Sequence, residues 1–268
     1  GNDVILLDHG FGAHHRLLEA GIPATRVSHM FFTHLHFDHF GDYARLVLTR
    51  WDQGGGLLPE LKVYGPAPLL ELSDRLFGAN GVYDPDLVAR TSHGASLCLY
   101  EARGGTLPRL RPKPAITELK SGDMVRERDW TLETAMVSHF QPYLMSYGFR
   151  LETSEGSFVY SGDSGPSDAM LKLAKDCDVL LHMCHYVAGT KYNADFGGSC
   201  MSHMDLAELA QQANVGTLVL THMTDQFDGP AVRERVISDM TKVYTGNLMF
   251  GEDLMVVPIK MPALEKPL

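Results

Sequence analysis

Three histidines and one aspartate fall within six residues: His34, His36, Asp38 and His39, in the pattern H-x-H-x-D-H. Imidazole nitrogens and carboxylate oxygens are ligands for zinc and similar borderline cations. The run directly follows an apolar, β-prone stretch, Val27 to Phe32, which places it in the loop at a strand's end. Alternation in an extended turn lets His34 and His36 point to one side, while Asp38 and His39 reach a second point nearby. One short loop can therefore serve two metal ions. Two metals about 3.5–4 Å apart can share an activated water and clamp the attacking and leaving oxygens of a displacement. The chemistry expected from these residues is metal-assisted hydrolysis.

Three further ligand-type residues stand where strands end. His139 follows the predicted strand Thr131 to Val137, Asp163 follows Ser157 to Ser161, and His222 closes Leu218 to Thr221. Ligands converge at the C-terminal ends of strands in layered α/β folds. The positioning elements alternate along the chain. Strands are expected at Val4–Leu7, Val27–Thr33, Leu61–Val63, Thr131–Val137, Met145–Glu152, Ser157–Ser161 and Val179–Leu181. Helices are expected over Gly12–Ala20, Tyr43–Trp51, Ala67–Leu76, Ser167–Lys175, Met204–Ala213 and Ala231–Tyr244. Gly54-Gly55-Gly56 breaks the second of these helices, Ser167 is an N-cap, and Ser202-x-x-Asp205 is a capping-box variant. The pattern fits an α/β protein with two packed sheets and helices outside, an αββα four-layer sandwich formed by residues 1–268 as a single domain.

These motifs, in this order, resemble the metallo-β-lactamase superfamily, and within it the branch of ribonuclease Z and the related arylsulfatases and phosphodiesterases. The H-x-H-x-D-H loop, Val137-Ser138-His139 followed by Ser146 to Glu152, Phe158 to Ser164, Leu218 to His222, and Gly251 to Val257 as the closing strand together span nearly the whole chain. The resemblance implies seven metal ligands. His34, His36 and His139 would hold one metal, Asp38, His39 and His222 the second, and Asp163 would bridge them. It also implies two zinc ions per chain, with manganese or iron as other cations these ligands accept, and a homodimer. Asn2 to Gly10 resembles the family's third strand and its D-x-G turn, so the expectation is that two earlier strands are missing from the start of the chain.

The formal net charge of the 268 residues is −10, with 44% apolar and 21% charged residues. That balance argues against a polyanionic partner, because nucleic acids are held by Lys and Arg contacts to phosphates. No apolar run reaches the length of a membrane span. The four cysteines, Cys98, Cys177, Cys184 and Cys200, lack the spacing of a disulfide framework or zinc ribbon, which points to free thiols and a cytoplasmic location. His139 and Asp163 are 24 positions apart, too close for the long arm with which ribonuclease Z enzymes grip tRNA. The excess length lies instead around Gly78 to Pro114, expected as a lid or dimerisation insertion.

Other residues extend the candidate site. Asp8 is positioned to orient a ligand imidazole or to cap its turn. By resemblance, a glutamate and a histidine that donate a proton are replaced here: His182-Met183-Cys184-His185 stands at the first, and Cys200 at the second. His203, three residues on, is a candidate donor, and His182, His185 and Tyr186 are candidates for substrate contact or proton donation. Asp38 also belongs among the catalytic residues. Lys191 to Ser199 is expected as a mobile loop whose Tyr192 and Phe196, with Phe140, Tyr143 and Tyr147, could wall an apolar pocket. The function expected is a binuclear zinc-dependent hydrolase in which a metal-bound hydroxide attacks a small apolar ester: a phosphodiester, aryl sulfate, lactone or activated aryl or carboxyl compound. The alternatives are a ribonuclease Z-like nuclease acting on RNA and a non-catalytic metal-binding homologue. A redox di-iron relative would carry a glutamate where His36 stands.

Overall fold

A computed structural model of the chain describes residues 1–260. Contacts divide it into two compact units, the first ending at Leu119 and the second beginning at Lys120.

The first unit carries a four-stranded parallel sheet in the order β1 (Ile5–Leu7), β2 (His29–Phe31), β3 (Lys62–Gly65), β4 (Ala115–Glu118). Its helices are α1 (Ala13–Glu19), α2 (Phe37–Phe40), α3 (Tyr43–Gly54), α4 (Leu69–Phe77), α5 (Asp84–Ser92) and α6 (Gly94–Ala102). Met30 and Phe31 of the interior strand β2 are fully buried. Helix α3 buries Tyr43, Leu46, Val47 and Arg50, the i, i+3, i+4, i+7 stripe of an amphipathic helix. It ends where Gly55 takes the left-handed conformation at φ 58°.

The second unit carries a seven-stranded sheet in the order β11-β10-β9-β8-β7-β6-β5. The strands are β5 (Met124–Arg126), β6 (Trp130–Met136), β7 (Tyr147–Thr153), β8 (Gly156–Tyr160), β9 (Val179–Met183), β10 (Thr217–Thr221) and β11 (Asn247–Phe250). Strands β5 to β8 form an antiparallel meander, and β8 to β11 run parallel. Strands β6, β8, β9 and β10 therefore point the same way, and the loops after them emerge at one edge of the sheet. Helices α7 (Asp168–Ala174), α8 (Ala194–Ser199), α9 (His203–Gln212) and α10 (Val232–Met240) complete the unit. The Ser167 cap of α7 and the Ser202/Asp205 capping box of α9 are both formed. Two sheets with accompanying helices are the α/β class read from the sequence.

The elements depart from expectation in four places. The closing strand is Asn247–Phe250, and Gly251 to Val257 is not a strand. β11 pairs with β10 through Leu248 and Phe250, partly buried residues packed against the core; the more apolar Met255-Val256-Val257 run is left outside the ladder, with Val256 exposed. Strands β4 and β5 were not anticipated. The expected insertion contains the helix pair α5–α6. It is fastened to α3 by Asp52, whose carboxylate accepts hydrogen bonds from Arg90 (2.9 Å), Arg103 (3.1 Å) and Arg109 (2.7 Å). Lastly, the loop at 191–199 contains the short helix α8, capped by the Asn193 side chain.

Candidate metal centre

In the first unit the loop after β2 is held by the loop after β1. Asp8 has a left-handed backbone (φ 59°), which turns its side chain back along the sheet edge. Its carboxylate accepts from Thr33 N–H (2.7 Å), Thr33 Oγ1 (2.8 Å) and His39 Nδ1 (2.7 Å). Thr33 Oγ1 donates to Asp8 and so accepts from His34 Nδ1, at 2.9 Å. One carboxylate thus places the proton on Nδ1 of both His34 and His39. Their Nε2 lone pairs are left for a cation. His34 Nε2 lies 3.0 Å from His36 Nδ1. Two nitrogens bound to one tetrahedral zinc at about 2.0–2.1 Å lie about 3.3 Å apart, so these two atoms have the spacing of shared ligands. Asp8, His34 and His39 offer ligand atoms within 4.8 Å of one another. Asp38 is more exposed, with a carboxylate oxygen 3.8 Å from His39 Nε2.

One glycine lets the loops close on each other. A Cβ on Gly10 would lie 1.6 Å from the Asp38 carbonyl oxygen. A side chain at that position would push the ligand loop away. The backbone is latched on both sides: His9 N–H donates to His39 O and Asp42 N–H to His9 O, while Asp42 Oδ2 accepts from Gly12 and His14 N–H.

In the second unit His139, Asp163 and His222 meet at the common strand edge. Asp163 Oδ2 is 3.6 Å from His139 Nε2, and Asp163 Oδ1 is 3.5 Å from His222 Nε2. Each oxygen thus faces a different imidazole. His139 Nδ1 donates to Ser199 O at 3.0 Å, which again leaves Nε2 as the lone-pair nitrogen. His222 sits at φ 51°, a conformation a β-substituted residue holds only when its surroundings impose it. In both units the donors and the groups behind them fit divalent metal.

Around this cluster the other candidates separate. The His185 ring is 5.5 Å from that of His222 and 5.6 Å from Phe196. Burial, then the nearby His222, lowers its pKa, so it is neutral at pH 7. Tyr186, Tyr192 and Phe196 pack as one aromatic group, with Tyr192 and Phe196 centroids 4.0 Å apart. Phe140 stacks on His139 at 4.3 Å, Tyr143 is almost fully exposed and Tyr147 is buried. His182 is fully buried, its Nδ1 donating to Met183 O, and burial drives its pKa down to about 4. His203 does not join His139, Asp163 and His222. It is buried, its Nδ1 accepts from Ala188 N–H at 3.0 Å, and its Nε2 faces Asp239 on α10 at 4.0 Å. That placement corrects the expectation of a first-turn donor: the ring ties α9 to the 188 loop and to α10. Cys184 and Cys200 are buried, and burial pushes both thiols up to about 12, so neither is a nucleophile. Sequence reasoning missed Thr33, the Ser199 carbonyl, Gly10 and Asp42. Only Thr33, directly before the first histidine, carried a signal.

Ligand-type imidazoles and carboxylates gathered at C-terminal strand ends on two sheets define a metal-dependent hydrolase fold. The family description "Beta-lactamase superfamily domain" matches residues 4–223. A ribonuclease Z of Mycobacterium sp. (strain KMS) is 30% identical over 276 aligned positions, which cover 100% of this chain and 90% of that protein. Among solved structures, the metallo-β-lactamase fold protein YhfI from Bacillus subtilis matches with a TM-score of 0.68 at 17% identity, covering 94% of this chain and 86% of that one. The short form of human tRNase Z matches with a TM-score of 0.62 at 18% identity, covering 97% and 90%. The chain belongs to the β-lactamase superfamily of metallohydrolases, in the branch that contains ribonuclease Z.

These relatives correct one expectation. The short His139–Asp163 interval and the acidic balance argued for a small-molecule substrate and against nucleic acid. The interval is indeed closed by the tight β7–β8 hairpin. Yet the mycobacterial relative named ribonuclease Z aligns along 100% of this chain and 90% of its own length. Among the described residues no helix is long and apolar enough to cross a membrane.

Proposed function

We propose that the protein is a metal-dependent ribonuclease, cleaving RNA phosphodiesters with two divalent cations, zinc first among them. The observation that carries this reading is the match to ribonuclease Z along essentially the whole of both chains. The ligands proposed are His34, His36 and His139 for one cation and Asp38, His39 and His222 for the other, with Asp163 shared. When bound, the cations supply a water of lowered pKa and charge to stabilise the developing oxyanion. The chain's own residues do the rest. Asp8 and Thr33 hold the tautomers of His34 and His39, and the Ser199 carbonyl holds that of His139. Neutral His185, beside His222, is a hydrogen-bonding partner for the substrate or its leaving oxygen rather than a cationic acid.

The test is cleavage of a structured RNA, a tRNA with a 3′ extension, by zinc-loaded protein, beside DNA of the same sequence and beside chelator-stripped protein. RNA cleavage that disappears on chelation, returns with zinc and is lost in His36→Ala supports the reading. Intact RNA after incubation with protein carrying its full metal complement overturns it.

A further inference from the structure

Phe11 and Phe37 are 68% and 73% exposed, although each is a large apolar side chain. Their position is not arbitrary. Phe37 sits between the proposed ligands His36 and Asp38, at the start of α2, and Phe11 follows Gly10 in the loop pressed onto that turn. The two rings lie 5.9 Å apart, tilted by 45°. Phe11 is backed by the chain. A Cβ on Gly41 would come within 2.7 Å of the Phe11 ring, so that ring lies flat on backbone that only glycine leaves open. Asp42 clamps the chain just after Phe11 through Gly12 and His14. The result is a pair of exposed rings on the rim of the ligand loop.

Burial of these rings adds little to folding, since most of their surface meets water. Exposed aromatic surface at the mouth of a site is what a ligand with a flat face uses. Acidic residues outnumber the cations that could hold phosphates, 33 to 23, and Arg90, Arg103 and Arg109 are already paired with Asp52. Stacking does not depend on that charge, and it is indifferent to base identity.

We propose that Phe11 and Phe37 form a stacking platform for a nucleobase of the RNA strand, placing the adjoining phosphodiester at the ligand loop. This rests on the ribonuclease reading given above. Both residues act by positioning. Phe37→Ala, Phe11→Leu and the double variant test the idea against base-bearing and abasic oligoribonucleotides of equal length and charge, with binding read by fluorescence anisotropy. Cleavage kinetics follow on the base-bearing strand. The wild-type protein is expected to bind the base-bearing strand roughly 5- to 100-fold more tightly than the abasic one. The variants lose that preference and raise KM for RNA with little change in kcat, while Phe37→Trp restores the preference. Equal binding of the two strands by wild type overturns the platform, as does a preference unchanged in the double variant. RNA left uncleaved while the base preference persists would remove the ribonuclease reading and leave the platform standing.

Discussion

Asp8 holds more of the ligand loop than any other side chain in the first unit, and Asp8→Asn is the substitution that isolates its role. Asparagine keeps the volume and tolerates the left-handed backbone at φ 59°. What it cannot keep is three acceptor contacts at 2.7, 2.8 and 2.7 Å. With the amide nitrogen in place of Oδ2, it faces the Thr33 hydroxyl and the His39 Nδ1–H, both donors. His39 can then satisfy the contact only by moving its proton to Nε2, the nitrogen needed for a cation. With the amide reversed, the Thr33 N–H meets a donor instead. Either way at least one donor, beside a carboxylate position only 8% exposed, loses its partner, at about 1–3 kcal/mol. For a chain of this size that is roughly a 2–10 °C fall in Tm of the metal-free protein. Metal affinity should fall by about 10- to 100-fold, the usual effect of losing a group behind a ligand. The assay is competitive zinc titration with a fluorescent chelator, beside thermal unfolding in excess chelator. Thr33→Val, which keeps the Asp8–His39 contact and breaks only the relay to His34, should weaken metal binding less. Zinc affinity unchanged within twofold in a folded Asp8→Asn protein would refute the tautomer argument.

Three further outcomes follow from the packing. Gly10→Ala puts a Cβ 1.6 Å from the Asp38 carbonyl; the expected result is loss of at least one metal equivalent by elemental analysis, with the second unit still folded by near-UV dichroism. Asp52→Asn loosens Arg109, whose side chain is 3% exposed, and should cost about 1–3 kcal/mol in urea unfolding. Burial alone would raise the Asp52 carboxyl, but hydrogen bonds from Arg109 and Arg103 and the charge of Arg90 outweigh it and hold it below the ordinary range. Its contribution is therefore present above the unfolded carboxylate pKa of about 3.9 and is lost as pH falls through the lower folded value. The gap between wild type and Asp52→Asn should accordingly be wide at pH 6 and close below pH 4. Finally, Cys98 is exposed while Cys177, Cys184 and Cys200 are buried with thiols pushed up to about 12. Iodoacetamide at pH 8 should modify one thiol in the native protein and four in urea, read by intact mass.

The H-x-H-x-D-H loop and the strand-end histidines were legible as candidate ligands because their chemistry is carried by residue type and local spacing. Ser167, Ser202 and Asp205 were legible for the same reason, since a cap is a contact across three residues. What escaped depends on distant partners. Gly10 is an ordinary turn glycine until the Asp38 carbonyl stands where its Cβ would be. His203 reads as an exposed first-turn residue until Ala188 and Asp239 enclose it. Strand β11 was misplaced because the closing strand was put at Gly251 to Val257 by resemblance, whereas pairing is set by the ladder with β10. The helix pair α5–α6 was legible only as extra length around Gly78 to Pro114, because its hold, one aspartate gathering three arginines, spans up to 57 positions of sequence.

The substrate class shows a different kind of limit. A net charge of −10 is a sum over the whole surface, but an RNA strand meets only the groups within about a Debye length of its phosphates, 8–10 Å at ordinary ionic strength. Acidic residues on the far faces of either unit are screened from it. The proposed acidic ligands Asp38 and Asp163 would draw divalent cations, so a carboxylate counted against a polyanion would become part of what binds one. The same sign of charge therefore argues in opposite directions according to whether it is averaged or placed. The consequence can be measured. If phosphates are held chiefly through cations and stacking rather than through Lys and Arg, RNA affinity should fall only weakly between 50 and 200 mM salt, well short of the thousandfold or greater loss seen where six or more phosphates are neutralised by side chains. A steep salt slope would instead locate the RNA on a basic face and shift the binding energy away from the ligand loop.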